Sequence, residues 1–178
     1  NDAPVVTSIK GVSSDFVSML ANDDSLSTRL DDKVQFLDQY GEDIAAPAFD
    51  ANDTANTDSD LDFTIKPKDA SNTVTDLNNG VISASTTAGT ETYEIILKKG
   101  TSVLDTLEVT VTVVDKTKIT AFGIDDLNKF YTDDAGALTH TQQIKIHGLV
   151  DGKKVVVPQS MAKHFSASNG LLGINPTT

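Results

Sequence analysis

The chain has 178 residues, a formal net charge of −12, one arginine (Arg29), and neither cysteine nor tryptophan. Without thiols it has no disulfide staples, thiol catalysis or thiolate metal sites. With so few arginine forks on so acidic a chain, nucleic acid is not an expected partner. No stretch approaches the roughly 20 apolar residues of a membrane-spanning helix, so no membrane insertion is expected.

In chain order, Asn1-Asp2-Ala3-Pro4 reads as the start of a mature or excised piece, and these residues show no basic stretch followed by an apolar run of the kind a signal peptide has. Val5 to Val12 reads as an edge strand that tolerates Pro4 at its start. Ser13 to Leu30 is ambiguous between helical spacing (Phe16, Met19, Leu20) and alternation, and is read as irregular strand with room for one short helical turn. Lys33 to Asp38 is a strand with Val34 and Phe36 on one face. A turn at Gln39-Tyr40-Gly41-Glu42 follows, and Pro47 ends the short strand after it. Residues 48–60 read as a polar loop. Leu61, Phe63 and Ile65 alternate with Asp62, Thr64 and Lys66 up to Pro67. Asn78-Asn79-Gly80 signals a turn before a short strand from Val81 to Ser85.

The clearest signal runs from Glu91 to Val114. Tyr93, Ile95 and Leu97 alternate with polar neighbours, and after Lys99-Gly100-Thr101 the pattern resumes with Leu107, Val109, Val111 and Val113. Period two with mostly β-branched residues predicts a hairpin with one face buried. It reads as the closing pair of an antiparallel sandwich. Short strands punctuated by Gly, Pro and Asn, with no competing amphipathic helix, give an all-β class.

Val114-Asp115-Lys116-Thr117 is a very short connector, and a new alternating run from Ile119 to Ile124 begins at once. The expected organisation is therefore two stacked modules, 1–115 and 116–178. Their charges differ: residues 1–115 carry 7 Lys/Arg against 21 Asp/Glu, giving −14, and residues 116–178 carry 7 against 5, giving +2. One reading is a solvated acidic surface, the other head-to-tail attraction between modules.

The second module repeats the first. Ile9-Lys10-Gly11-Val12 aligns with Ile119-Thr120-Ala121-Phe122, and Val34-Gln35-Phe36 with Ile144-Lys145-Ile146. After a one-residue slip, Gly41 aligns with Gly152 and Pro47 with Pro158. The slip is assigned to an insertion at Gly148-Leu149-Val150. Asp151-Gly152 suits a type I′ turn, and Asn169-Gly170-Leu171 parallels Asn79-Gly80-Val81. The repeat contains no counterpart of the 91–114 hairpin. The second sandwich is thus expected to be incomplete, to continue past Thr178, and to be poorly ordered at its end or completed by a neighbouring chain.

Chemistry is sparse. His140, His147 and His164 show no zinc-ligand spacing, and no nucleophile elbow, phosphate loop or His-Glu-x-x-His occurs. Glu91 and Glu94 fall on opposite strand faces, so catalysis is not expected. The acidic loop offers the hard oxygens calcium requires, from Asp50, Asn52, Asp53, Asp58 and Asp60. The Asp58-x-Asp60-x-Asp62 run mimics an EF-hand start but fails, because Phe63 takes the glycine position. A second candidate lies near Asp115, Asp125 and Asp126. The bland alternative for both is a solvated loop.

Leu37-Asp38-Gln39-Tyr40-Gly41-Glu42-Asp43-Ile44 resembles the D-Q-Y-G-x-x-I turn of Ig-like modules in bacterial surface-layer (S-layer) proteins. The surrounding order is similar too: an opening Val-Thr-Ser-Ile strand, a Lys-Val-Gln-Phe strand, an Asn-Gly-Val-Ile turn and a closing Val-Thr-Val-Thr-Val-Val-Asp strand. The second module has Val150-Asp151-Gly152 in place of the Gln-Tyr-Gly. The resemblance covers most of residues 5–115 and about half of the rest. It implies tandem Ig-like β-sandwich modules of a secreted protein at the cell surface, assembling with copies of itself into a two-dimensional lattice. Calcium often promotes such assembly, and cell-wall attachment would lie in regions outside this chain. Exposed edges such as Val5 to Val12 are then expected augmentation sites. The competing readings are the stalk of an adhesin or invasin-type protein and an accessory Ig-like module of a secreted enzyme. A sugar-binding version of the latter lacks a platform, since only Tyr40, Tyr93 and Tyr131 are available besides phenylalanine.

Overall fold

The computed structural model describes residues 2–52, 60–71, 73–125 and 144–162. Among these, regular structure consists of strands and three 3-10 turns. The strands of the first 115 residues are β1 (Val6–Val12), β2 (Met19–Ala21), β3 (Ser27–Arg29), β4 (Val34–Asp38), β5 (Asp43–Ile44), β6 (Ala48–Phe49), β7 (Leu61–Pro67), β8 (Thr75–Asn78), β9 (Val81–Ala84), β10 (Gly89–Lys99) and β11 (Ser102–Val114). Beyond them come β12 (Ala121–Ile124), β13 (Ile146–Val150) and β14 (Lys153–Val156).

The long hairpin forms as its alternation predicts. β10 and β11 pair antiparallel from Gly89↔Val113 to Lys99↔Ser102, leaving Gly100-Thr101 as the loop. Tyr93, Ile95 and Leu97 are fully buried on one face, with Val111 and Val113 beside them. β7 continues the sheet antiparallel to β10, placing Ile65 opposite Ile95 and Phe63 opposite Leu97.

Two three-stranded sheets, β1-β4-β5 and β3-β9-β8, supply the facing layer. Phe36 of β4 meets Phe63 of β7 at a ring-centroid distance of 5.1 Å. The Thr75 hydroxyl on β8 and the buried Tyr93 hydroxyl on β10 share a 2.7 Å hydrogen bond. Leu30, Ile82 and Ala84 complete one continuous aliphatic core. The architecture is all-β and sandwich-like.

The large sheet is not purely antiparallel. Its order is β12-β13-β14-β2-β11-β10-β7-β6, and the pairs β2·β11, β14·β2 and β6·β7 are parallel. Such contacts, one to three residue pairs long, leave no periodic trace. For the same reason β6 lies inside the segment read as polar loop. β7 departs from the half-wet expectation as well: Asp62 and Thr64 on its outer face are 3% and 1% exposed.

The internal repeat is present, with its register shifted by two residues from the sequence alignment. Gly11 sits opposite Gln35 and Val12 opposite Val34, as Gly123 sits opposite His147 and Ile124 opposite Ile146. Phe36↔Ile44 and Leu37↔Asp43 match Gly148↔Val155 and Leu149↔Lys154. The Thr7 hydroxyl donates to the Leu37 carbonyl at 3.5 Å, as the Thr120 hydroxyl donates to that of Leu149. Thus Ile9, Gly11 and Val12 correspond to Phe122, Gly123 and Ile124, with Lys10 an extra residue at a bulge in β1, and Val34-Gln35-Phe36 corresponds to Ile146-His147-Gly148. The slip between Val34-Gln35-Phe36 and Gly41 is a one-residue shortening of the turn after β13, not an insertion. A shift of two keeps every side chain on its face, so an alternating pattern cannot reveal it. The Gly41–Gly152 and Pro47–Pro158 equivalences stand. Asn169-Gly170-Leu171 lies outside the described residues.

Candidate functional site

The described residues with most to do beyond the core lie where the chain passes from residue 115 to 116. β2 is wedged between β11 and β14: Leu20 is opposite Val113 on one side and Val156 on the other. Leu20, Ala21, Val113, Val114, Ile146, Val155 and Val157 belong to a single buried cluster, so apolar packing continues across the connector.

The connector itself is held by hydrogen bonds. The Asn22 amide donates to the Val114 carbonyl at 2.8 Å, while the Asn22 side-chain oxygen accepts from the Lys116 amide at 2.9 Å. Lys116 Nζ reaches Asp23 at 2.9 Å. Asp115 caps the 3-10 turn Lys116–Lys118, accepting from the Thr117 amide and hydroxyl, each at 2.9 Å. This is the use an Asp at an N-cap position serves. Hydrogen bonds from Ser25, then Lys116, hold the Asp23 carboxyl at about 2. The Thr117 donors likewise keep Asp115 below the usual carboxylate range.

A polar trio lies on β12–β14. His147 Nδ1 lies 2.8 Å from Asp125 Oδ1, and Lys154 Nζ lies 2.6 Å from the same oxygen. Burial pushes Asp125 up, but hydrogen bonds from Lys154 and His147 outweigh it and leave the carboxyl below its ordinary value. Gly123 leaves room for the imidazole, since a Cβ there would overlap His147 Nε2 and the ring would have to shift. No sequence spacing announces this trio, whose members meet only through the β12–β13–β14 pairing.

The D-Q-Y-G turn is a clamp. The mostly buried Asp38 accepts from the Tyr40 and Glu42 amides at 2.8 and 3.0 Å, and Gly41 takes the positive φ of 81° that closes the turn. Gln39 accepts from the Val5 amide at 2.7 Å and donates to the Ala3 carbonyl at 3.0 Å. The Tyr40 hydroxyl donates to the Asp2 carbonyl at 3.2 Å. The motif thereby fixes the path by which the chain enters β1. In the second unit a tighter turn at Asp151 and Gly152, with φ of 49° and 75°, replaces it.

The proposed calcium ligands do not come together as a described cluster. Asp53, Asp58 and Asp126 lie outside the described residues, as do His140 and His164. Asp50 accepts from the Asn52 amide at 3.0 Å, and the Asp60 carbonyl accepts from Gly100 at 3.0 Å. Asp62 and Phe63 are strand residues opposite Lys98 and Leu97, so the end of the EF-like run is strand. Asp115 and Asp125 are occupied by the partners described above. Among the described residues no group of three or more His, Asp or Glu is arranged to hold a metal ion. Glu91 and Glu94 point to opposite faces, Glu91 buried and Glu94 beside Lys66 at 3.7 Å.

What these observations define is an all-β sandwich whose large sheet carries, in β12, β13 and β14, a second copy of the facing sheet β1-β4-β5. No protein-family model matches the chain, and no curated protein does. A solved structure of the S-layer protein SbsC, domains 5-6, is similar at a TM-score of 0.39 and 19% identity, over 86% of this chain and 67% of that one. At that TM-score the likeness is loose, and the fold assignment rests on this chain's own strand register.

Proposed function

We propose that this chain is a non-catalytic structural part of a bacterial surface layer, secreted and assembling with copies of itself into a two-dimensional lattice on the cell surface. The observation that carries this reading is the edge-to-edge continuation of one sheet from the first unit into the second through β2, with the connector pinned by Asn22, Asp23 and Asp115. Such a junction transmits force and holds an angle, which a load-bearing coat needs and a flexible linker does not provide. The resemblance of the Asp38–Ile44 turn to S-layer modules supports the same reading, since that turn governs how the chain enters the sandwich. The Lys116–Asp23 pair gives the charge contrast between residues 1–115 and 116–178 a point of contact.

Electron microscopy of the parent protein, with and without calcium, tests the proposal. Ordered sheets are the expected result. Isolated rods under both conditions would favour an adhesin-type stalk and overturn the lattice.

A further inference from the structure

The internal repeat places two equivalent strand edges in this molecule in different situations. β14 is the counterpart of β5, with Lys154 matching Asp43 and Val155 matching Ile44 through their pairings with Leu149 and Leu37. One residue on, Val156 matches Ala45; then Val157 matches Ala46 and Pro158 matches Pro47. In the second unit this edge is covered: Val156 pairs in parallel with Leu20, and Val155 and Val157 are buried. In the first unit β5 ends its sheet, with no described strand beyond it, and Ala45 and Ala46 are exposed. The ladder also stops earlier there. β13·β14 includes the pair His147↔Val156, whereas β4·β5 ends at Phe36↔Ile44. The extra rung falls on the residue that has a partner on its far side.

We propose that the open edge of β5, extended through Ala45 and Ala46, is a docking site for the β2 strand of another unit of this same kind, joined in parallel as β2 joins β14. Two features suit that occupant. Pro47 ends the edge where Pro158 ends β14, which limits the accepted strand to about three residues, the length of Met19–Ala21. The route into the sandwich is also preset, because Gln39 and Tyr40 hold residues 2–5 just ahead of β1, as Asn22 and Asp23 hold the connector ahead of β12. The mode is strand addition, with main-chain hydrogen bonds supplying affinity. It makes each unit an acceptor through β5 and a donor through β2, so that units add in one direction only. The inference follows from the repeat and does not depend on the lattice reading.

The test is an extended protein in which residues 1–118 are followed directly by residues 6–178, so that Val6-Thr7-Ser8 replaces Ile119-Thr120-Ala121 at the new junction. The amide of Ala45 in the second copy is expected to exchange with deuterium at least about tenfold more slowly than in the 178-residue chain. A second readout uses the absence of native cysteine. Leu20→Cys with Val156→Cys in the 178-residue chain closes a disulfide and serves as control, and Leu20→Cys in the first copy with Ala45→Cys in the second is expected to close as readily. Unchanged Ala45 exchange in the folded extended protein overturns the proposal, as does failure of the second disulfide while the control forms. Concentration-dependent protection of Ala45 in the 178-residue chain also overturns the proposal, because β2 of that chain is already paired with β11 and β14 and the added strand would be a different one.

Discussion

Leu20→Ala tests whether the two halves of the large sheet behave as one body. Leu20 is completely buried, with β11 on one side and β14 on the other. Truncation removes three carbon atoms, about 2.4 kcal/mol of transfer free energy at about 0.8 kcal/mol per methylene. Strand pairing on both sides hinders collapse into the space, so a cavity term raises the total to about 3–4 kcal/mol. At about 2–4 °C per kcal/mol for a protein of this size, the melting temperature should fall by about 6–16 °C. The decisive assay is native-state hydrogen exchange read separately on each side of the seam. If β2 ties the sheet together, the amides of Val111 and Val155 should lose protection together, by roughly 150-fold for about 3 kcal/mol. A loss confined to Val111, with Val155 unchanged, would mean that β14 is held without β2 and would refute the reasoning.

The Asp38 clamp should be equally legible: Asp38→Ala strips a charged acceptor from the Tyr40 and Glu42 amides and is expected to cost about 2–3 kcal/mol by denaturant titration, less if water replaces the carboxylate. A change below about 0.5 kcal/mol would show that the turn closes without it. Asp23 has a folded value of about 2 against an ordinary 3.8, so its contribution is complete above about pH 4 and is lost as pH falls through about 2. A carboxyl carbon titration by NMR should give the low midpoint, Asp23→Asn should abolish this acid-dependent loss of stability, and a midpoint near 3.8 contradicts the pairing. Asp105→Ala removes the acceptor of the Ile9 amide. It should cost about 1–2 kcal/mol and speed exchange at Ile9, with no effect at Ile9 counting against the contact.

The parts of the fold that are legible in the sequence are those with long or chemically specific signals. The β10–β11 hairpin announces itself through more than twenty residues of alternation, and Asn79-Gly80 and Asp151-Gly152 through the positive φ their turns require. The parallel contacts of β2 and β6 are too short to have a period, and they decide how the sheet extends past β11. The two-residue error in aligning the repeat arises from the same source as its detection, since alternation marks the face of a residue but not its partner. The His147–Asp125–Lys154 trio was invisible because the residues are brought together by pairing, not spacing. The Asp38 turn was visible as a motif, but its grip on residues 2–5 depends on side chains reaching more than thirty residues back.

The treatment of sheet edges connects these details. β1 is an edge strand, as Val5 to Val12 led one to expect, yet it is not an open one. A bulge at Leu104 in β11, between the pairs Leu97↔Asp105 and Lys98↔Val103, accompanies Asp105 being aimed at the Ile9 amide, which donates to its carboxylate at 2.8 Å. A bulge used to re-aim a side chain and a charge set on an edge are two known ways of stopping unwanted strand addition. Among the described residues β5 has no such device along Ala45 and Ala46, although its far end is limited by Pro47 and its near end carries the Lys10–Asp43 ion pair. Closing one edge of a three-stranded sheet while leaving two residues of the other open selects where a neighbour can add. That selectivity, and not the sandwich alone, is what would distinguish a protein built for ordered assembly from one that merely resists aggregation.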